Sequence, residues 1–194
     1  MNLETYLEEI KQFAVYPKKH ELEYLKLGLL SEIGEVAGVL KKGLRGDYCQ
    51  FVEVEKPVSV CVRFVGVGEG EFGTLYRGAG DEPFKQDLTK EIGDCFWYWG
   101  MLVHYYKEDI NSYGTWDTYA DPCADYTTDT EVVESLITGC NLGTQNILLE
   151  PMLFELQILG LRHNLDLETI LQTNIDKLTD RKNRNKIKGS GDER

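Results

Sequence analysis

At 194 residues the chain has the length of one domain, or of one domain with sizeable insertions. Its apolar fraction of 42% suffices for a core. A formal net charge of −12 leaves no basic face to replace the counterions along a nucleic-acid polymer, so that class of partner is excluded. Five cysteines (Cys49, Cys61, Cys95, Cys123 and Cys140) are odd in number, scattered, and without CxxC spacing. They read as free thiols in a reducing compartment, not as a disulfide framework or a zinc site. The first residues, MNLETYLEEIKQF, are acidic and amphipathic, unlike a signal peptide. No apolar run approaches the roughly 20 residues that span a bilayer. The expected setting is the cytosol, with no membrane partner.

Leu3, Tyr6, Leu7, Ile10 and Phe13 recur at helical spacing and predict a helix over 3–14 that Tyr16-Pro17 ends. A long helix follows over about 21–44. Its apolar residues surround the middle almost completely, as in the central helix of a bundle. The segment 47–80 changes character: it alternates Val-rich apolar positions with polar ones and is broken by Pro57 and several glycines, which is strand and hairpin chemistry. Its GVGEGEFG stretch lacks a GK[ST] ending and a following helix, so it reads as turns, not as a phosphate loop. Helical pattern returns over about 87–108. A polar loop at 111–130 precedes a helix at 131–148, Pro151 opens another, and Asp166 caps the last. The tail KIKGSGDER is Gly-rich and charged.

Two acidic signatures stand out inside the apolar helices: Glu32-Ile33-Gly34-Glu35 and Glu91-Ile92-Gly93-Asp94. In each, the carboxylates lie three residues apart and project from one helix face. Charges on a face that otherwise reads as buried are costly unless paired, and no run of Lys or Arg on these helices supplies the pairing. The economical partner is a divalent cation, and oxygen-only ligands favour Mg²⁺ or Mn²⁺. Glu32, Glu35, Glu91 and Asp94 together suit one or two such ions, and the natural substrate for a caged Mg²⁺ is a polyphosphate. Alone, an ExxE pair is usually a solvated helix face. On the last helix Lys177 and Arg181 lie four apart on one face, with Asn174 one turn earlier.

The stretches LGLLSEIGEVAGVLKKGLR, KEIGDCFWYWGML and NIDKLTDRKNRNKIKGSGDER resemble the MazG-like all-α nucleoside triphosphate pyrophosphohydrolases, in the small single-domain form that bacteria and phages carry. The family pattern is ExxE on one helix and ExxD on the next. Tyr16-Pro17 and the Gly189–Arg194 tail fit it as well. The resemblance covers roughly half the chain. Two insertions depart from it, one strand-like at about 45–85 and one of loop plus helix at about 107–150. The fold it implies is mainly α, a single helical bundle domain over 1–194 with a small β-hairpin-like insertion. The activity it implies is Mg²⁺-dependent hydrolysis of a nucleoside triphosphate, with deoxynucleotides favoured, to monophosphate and pyrophosphate in nucleotide-pool housekeeping. Glu32 and Glu35 are then catalytic, with Glu35 orienting or deprotonating the attacking water. Asn174, Lys177, Arg181, Lys188 and Arg194 meet the phosphate side, while Tyr16, Trp97 and Tyr98 are candidates to stack on the base.

Two other classes compete. A di-iron carboxylate bundle needs ExxH pairs, and His20, His104 and His163 stand in none. A non-catalytic nucleotide-sensing or protein-binding module on the same fold keeps the acidic residues without turnover. The apolar flanks of the long helices also predict a homo-oligomer, a dimer or tetramer, as relatives pair subunits to complete a bundle.

Overall fold

The computed structural model describes residues 1–48, 81–113, 128–140 and 148–186. Among them are six α-helices and no strand: α1 (Leu3–Ile10), α2 (Glu21–Arg45), α3 (Asp81–Tyr106), α4 (Asp129–Gly139), α5 (Leu149–Arg162) and α6 (Leu167–Asn183). The mainly α architecture is as expected. The strand-like segment, most of the 111–130 loop, and the tail with Lys188 and Arg194 lie outside the described residues.

Local chemistry sets the helix ends. The Asn2 side chain accepts from the Thr5 amide, Asp166 accepts from Thr169, and Thr128 with Glu131 forms a reciprocal capping box. Helix α2 stops at Gly46, whose φ of 82° places it in the left-handed region; its amide and that of Asp47 bond back to Gly43 and Lys42. Lys107, Asn164 and Asn185 end α3, α5 and α6 with the same pair of backward bonds.

Several boundaries differ from those read in the sequence. The first helix gives way to a 3₁₀ turn at Lys11–Phe13, and the chain leaves helical geometry at Ala14, before Tyr16-Pro17 is reached. Helix α3 begins at Asp81, not near Asp87, because Pro83 falls in its first turn, where a missing N–H costs nothing. Helix α4 begins at Asp129 and ends at Gly139, shorter than expected.

The hub is α3, not α2. It packs on α1, α2, α5 and α6, while α4 packs on α5 and α2. Trp99, Phe96, Ile92, Leu88 and Leu102 of α3 are fully buried against Tyr6, Leu25, Leu29, Ile33, Leu136 and Met152. Each such side chain contributes about 1.5–3 kcal/mol through burial. The Trp99 indole N–H donates to the Leu149 carbonyl at 2.8 Å, tying α3 to the start of α5. Helix α2 keeps an open flank, with Leu27 63% and Leu44 77% exposed, so its apolar residues do not all serve the core of one chain. No helix among the described residues is long and apolar enough to cross a membrane.

Candidate metal centre

Helices α2 and α3 run antiparallel, and their register brings the two acidic signatures together. A Cβ at Gly28 would fall 2.0 Å from the Tyr98 ring, and Glu35 lies beside Glu91. Residue numbers rise along one helix as they fall along the other, which is the mark of an antiparallel pair. Glycine at position 28 is what lets the Tyr98 ring lie across α2.

Glu32, Glu35 and Glu91 each offer a carboxylate oxygen, and these atoms lie within 4.8 Å of one another. Glu91 is buried, Glu32 half-buried, and Glu35 exposed. Among the described residues, neither Glu32 nor Glu35 takes a hydrogen bond or an ion pair. Burial, then the charges of Asp94, Glu35 and Glu91, push the Glu32 carboxyl up to about 8, against the pull of Lys177. Three crowded carboxylates that repel one another and face solvent at one member suit a hard divalent cation, and the all-oxygen donor set fits Mg²⁺ or Mn²⁺.

Asp94 has different company. Its Oδ1 accepts from Asn174 Nδ2 at 2.8 Å, and its Oδ2 accepts from Lys177 Nζ at 2.6 Å. The cation that pairs with Asp94 therefore comes from α6. Gly93 makes the approach possible, since a Cβ there would lie 3.0 Å from the Asn174 Cβ. Asn174 is 1% exposed, and its Oδ1 accepts from the Tyr6 hydroxyl at 2.8 Å. Arg181 follows Lys177 by one turn on α6 and is half-buried.

An aromatic group adjoins the carboxylates. Tyr16 stacks on Tyr24 with centroids 4.9 Å apart and meets Trp97 edge-on at 6.2 Å. Trp97 and Tyr98 meet edge-on at 4.8 Å. Tyr16 and Trp97 are buried walls of this group, and the Tyr16 hydroxyl donates to Glu21 at 2.9 Å. Burial and the neighbouring Tyr24 hydroxyl raise the Tyr98 phenol well above its ordinary value. The ring that faces solvent is Tyr24, 42% exposed.

The sequence-derived candidates Glu32, Glu35, Glu91, Asp94, Asn174 and Lys177 thus converge, and Tyr98 and Trp97 border them. Tyr6 and Tyr24 were missed. Tyr6 reads as one more apolar-stripe residue, yet a hydroxyl on a stripe destined for the core needs a partner, and that was the available signal. Compared with family models, with curated proteins and with solved structures, the chain matches none.

Proposed function

We propose that the chain is a Mg²⁺-dependent nucleoside triphosphate pyrophosphohydrolase of the MazG-like kind, acting on deoxynucleoside triphosphates in the cytosol. The observation that carries this reading is the convergence of Glu32, Glu35 and Glu91 from two helices, with Lys177 held beside them. The three glutamates would hold Mg²⁺, and Asp94 stands next to them as a fourth carboxylate. When bound, Mg²⁺ supplies charge neutralisation on the phosphates and polarises water for attack. Glu35, the solvent-facing member, orients the attacking water and takes its proton. Lys177 reaches this region from α6 and Arg181 follows it by one turn, and the two would give the polyphosphate its cationic side. Tyr24 lies eight residues before Glu32 on α2, about 12 Å along the axis. That is the scale separating a metal-held phosphate from its base, so Tyr24 and Tyr98 form the base side.

A turnover panel tests the reading. Purified protein with Mg²⁺ is offered the common NTPs and dNTPs, and the products are separated. The expected result is monophosphate plus pyrophosphate, lost in Glu35→Gln. Orthophosphate as the product would count against it.

One observation favours a second reading. Lys177 already occupies Asp94, so three carboxylates, not four, face one another. A nucleotide-sensing module would keep Mg²⁺–nucleotide binding and show no turnover on the same panel. For either function we infer a homodimer or homotetramer that covers the open flank of α2. Around Gly34 and Gly38 nothing lies within 4 Å of an added Cβ, and Leu27 is 63% exposed. Light scattering that finds only a 22.2 kDa species at micromolar concentration removes that inference.

A further inference from the structure

Tyr6 sits on α1, a helix that carries neither acidic signature, and is 0% exposed. Its hydroxyl donates to Asn174 Oδ1 at 2.8 Å, not to a backbone carbonyl. Asn174 in turn gives its Nδ2 to Asp94 Oδ1 at 2.8 Å, and Lys177 gives its Nζ to Asp94 Oδ2 at 2.6 Å. The directions of these bonds are forced. A carboxylate only accepts and an ammonium only donates, so Asn174 must turn its NH₂ toward Asp94. That leaves the Asn174 carbonyl as a buried acceptor needing a donor, and the Tyr6 hydroxyl is that donor. Burial, first, and the nearby Asp94 charge keep the proton on the phenol. Three helices thus join in one chain of hydrogen bonds that takes in the cation beside Glu32.

We propose that Tyr6 is a positioning residue for the substrate's phosphates: through Asn174 it fixes the Asp94 carboxylate, which holds Lys177 at the edge of the glutamate cluster. Without the Tyr6 hydroxyl the buried Asn174 carbonyl loses its donor, and the amide is held only through Asp94. An amide fixed at one end holds Asp94 less firmly, and with it the ion pair to Lys177. The proposal rests on the phosphate-binding role of Lys177 set out above, and it assigns Tyr6 no contact with substrate.

The test is a double-mutant cycle read by calorimetry, with Mg²⁺ and inorganic tripolyphosphate as the probe. Tyr6→Phe removes one hydroxyl. It is expected to weaken binding about three- to tenfold in the otherwise native chain and to add nothing in a Lys177→Met background. A residue that merely stabilises the fold would weaken both backgrounds alike. Asn174→Ala removes the bridge and is expected to reproduce the loss; it replaces Tyr6→Phe in the cycle if that variant is unfolded. Equal losses in both backgrounds, or native affinity in Tyr6→Phe, overturn the role of Tyr6 and leave the hydrolase reading standing. Absence of Mg²⁺–tripolyphosphate binding by the native chain overturns both.

Discussion

The two acidic signatures share a spacing and differ in surroundings. On α2, Glu32 and Glu35 take no hydrogen bond or ion pair among the described residues, and Glu35 is exposed. On α3, Glu91 is buried and Asp94 is held at both oxygens by Asn174 and Lys177. One helix exposes one of its carboxylates and half-buries the other. The other helix is built in by α6 through the close approach at Gly93. A repeated motif thus does not imply repeated surroundings: the same spacing leaves Glu32 and Glu35 without a hydrogen bond or ion pair among the described residues and holds Asp94 at both oxygens.

If that division is right, removing one carboxyl charge from α2 has the largest effect. Glu32→Gln and Glu35→Gln should each lower turnover by about a hundredfold or more at saturating Mg²⁺, as read by pyrophosphate release. Turnover near native in either variant would place the metal elsewhere.

The titration of Glu32 sharpens the comparison, because burial first, and then the carboxylates beside it on α2 and α3, raise it. Its folded value of about 8 lies above the ordinary 4.5, so the native state holds this proton more tightly than the unfolded chain does. Without divalent cation, stability should therefore fall as pH rises from about 4.5 to about 8. Mg²⁺ must displace the proton, so its affinity should rise by up to about tenfold per pH unit between pH 6 and 8 and level off above. Calorimetry in buffers of different ionisation enthalpy checks the proton release, and Glu32→Gln should abolish it.

A packing change tests the register that brings the signatures together. Gly28→Ala drives a methyl into the Tyr98 ring, which Trp97 and Tyr24 flank. The expected loss is about 1–3 kcal/mol in urea unfolding. The smallest effect belongs to the base side. Tyr24→Ala should raise KM for a nucleotide about threefold to tenfold while leaving Mg²⁺–tripolyphosphate affinity unchanged. A change in both would mean that Tyr24 acts on the phosphates.

Much of this was legible beforehand because helix periodicity is a local signal. Leu25, Leu29, Ile33 and Val36 mark the buried face of α2, and Asp166 marks the start of α6. The carboxylate pairs, and Lys177 with Asn174, were legible for the same reason, since each pair sits one turn apart on a helix. Contacts between helices were less so. Nothing local to α3 says that Lys177, 83 residues on, will pair with Asp94, or that Tyr6 will stand behind Asn174. The hub was misread for a related reason. The apolar girth of α2 matched that of a central helix, but Leu27 and Leu44 face outward, and α3, with Gly93 at its contact with α6 and Gly100 at its contact with α1, admits neighbours more closely. Lys107 in a left-handed conformation carries no sequence signal of the kind that Gly46 does.

The most direct test of the central claim is a single turnover of a deoxynucleoside triphosphate with Mg²⁺ in ¹⁸O-labelled water. Attack at the α-phosphorus puts the label in the monophosphate and leaves the pyrophosphate unlabelled, and that is the predicted result. Label in pyrophosphate or orthophosphate, or no hydrolysis at all, would contradict the account.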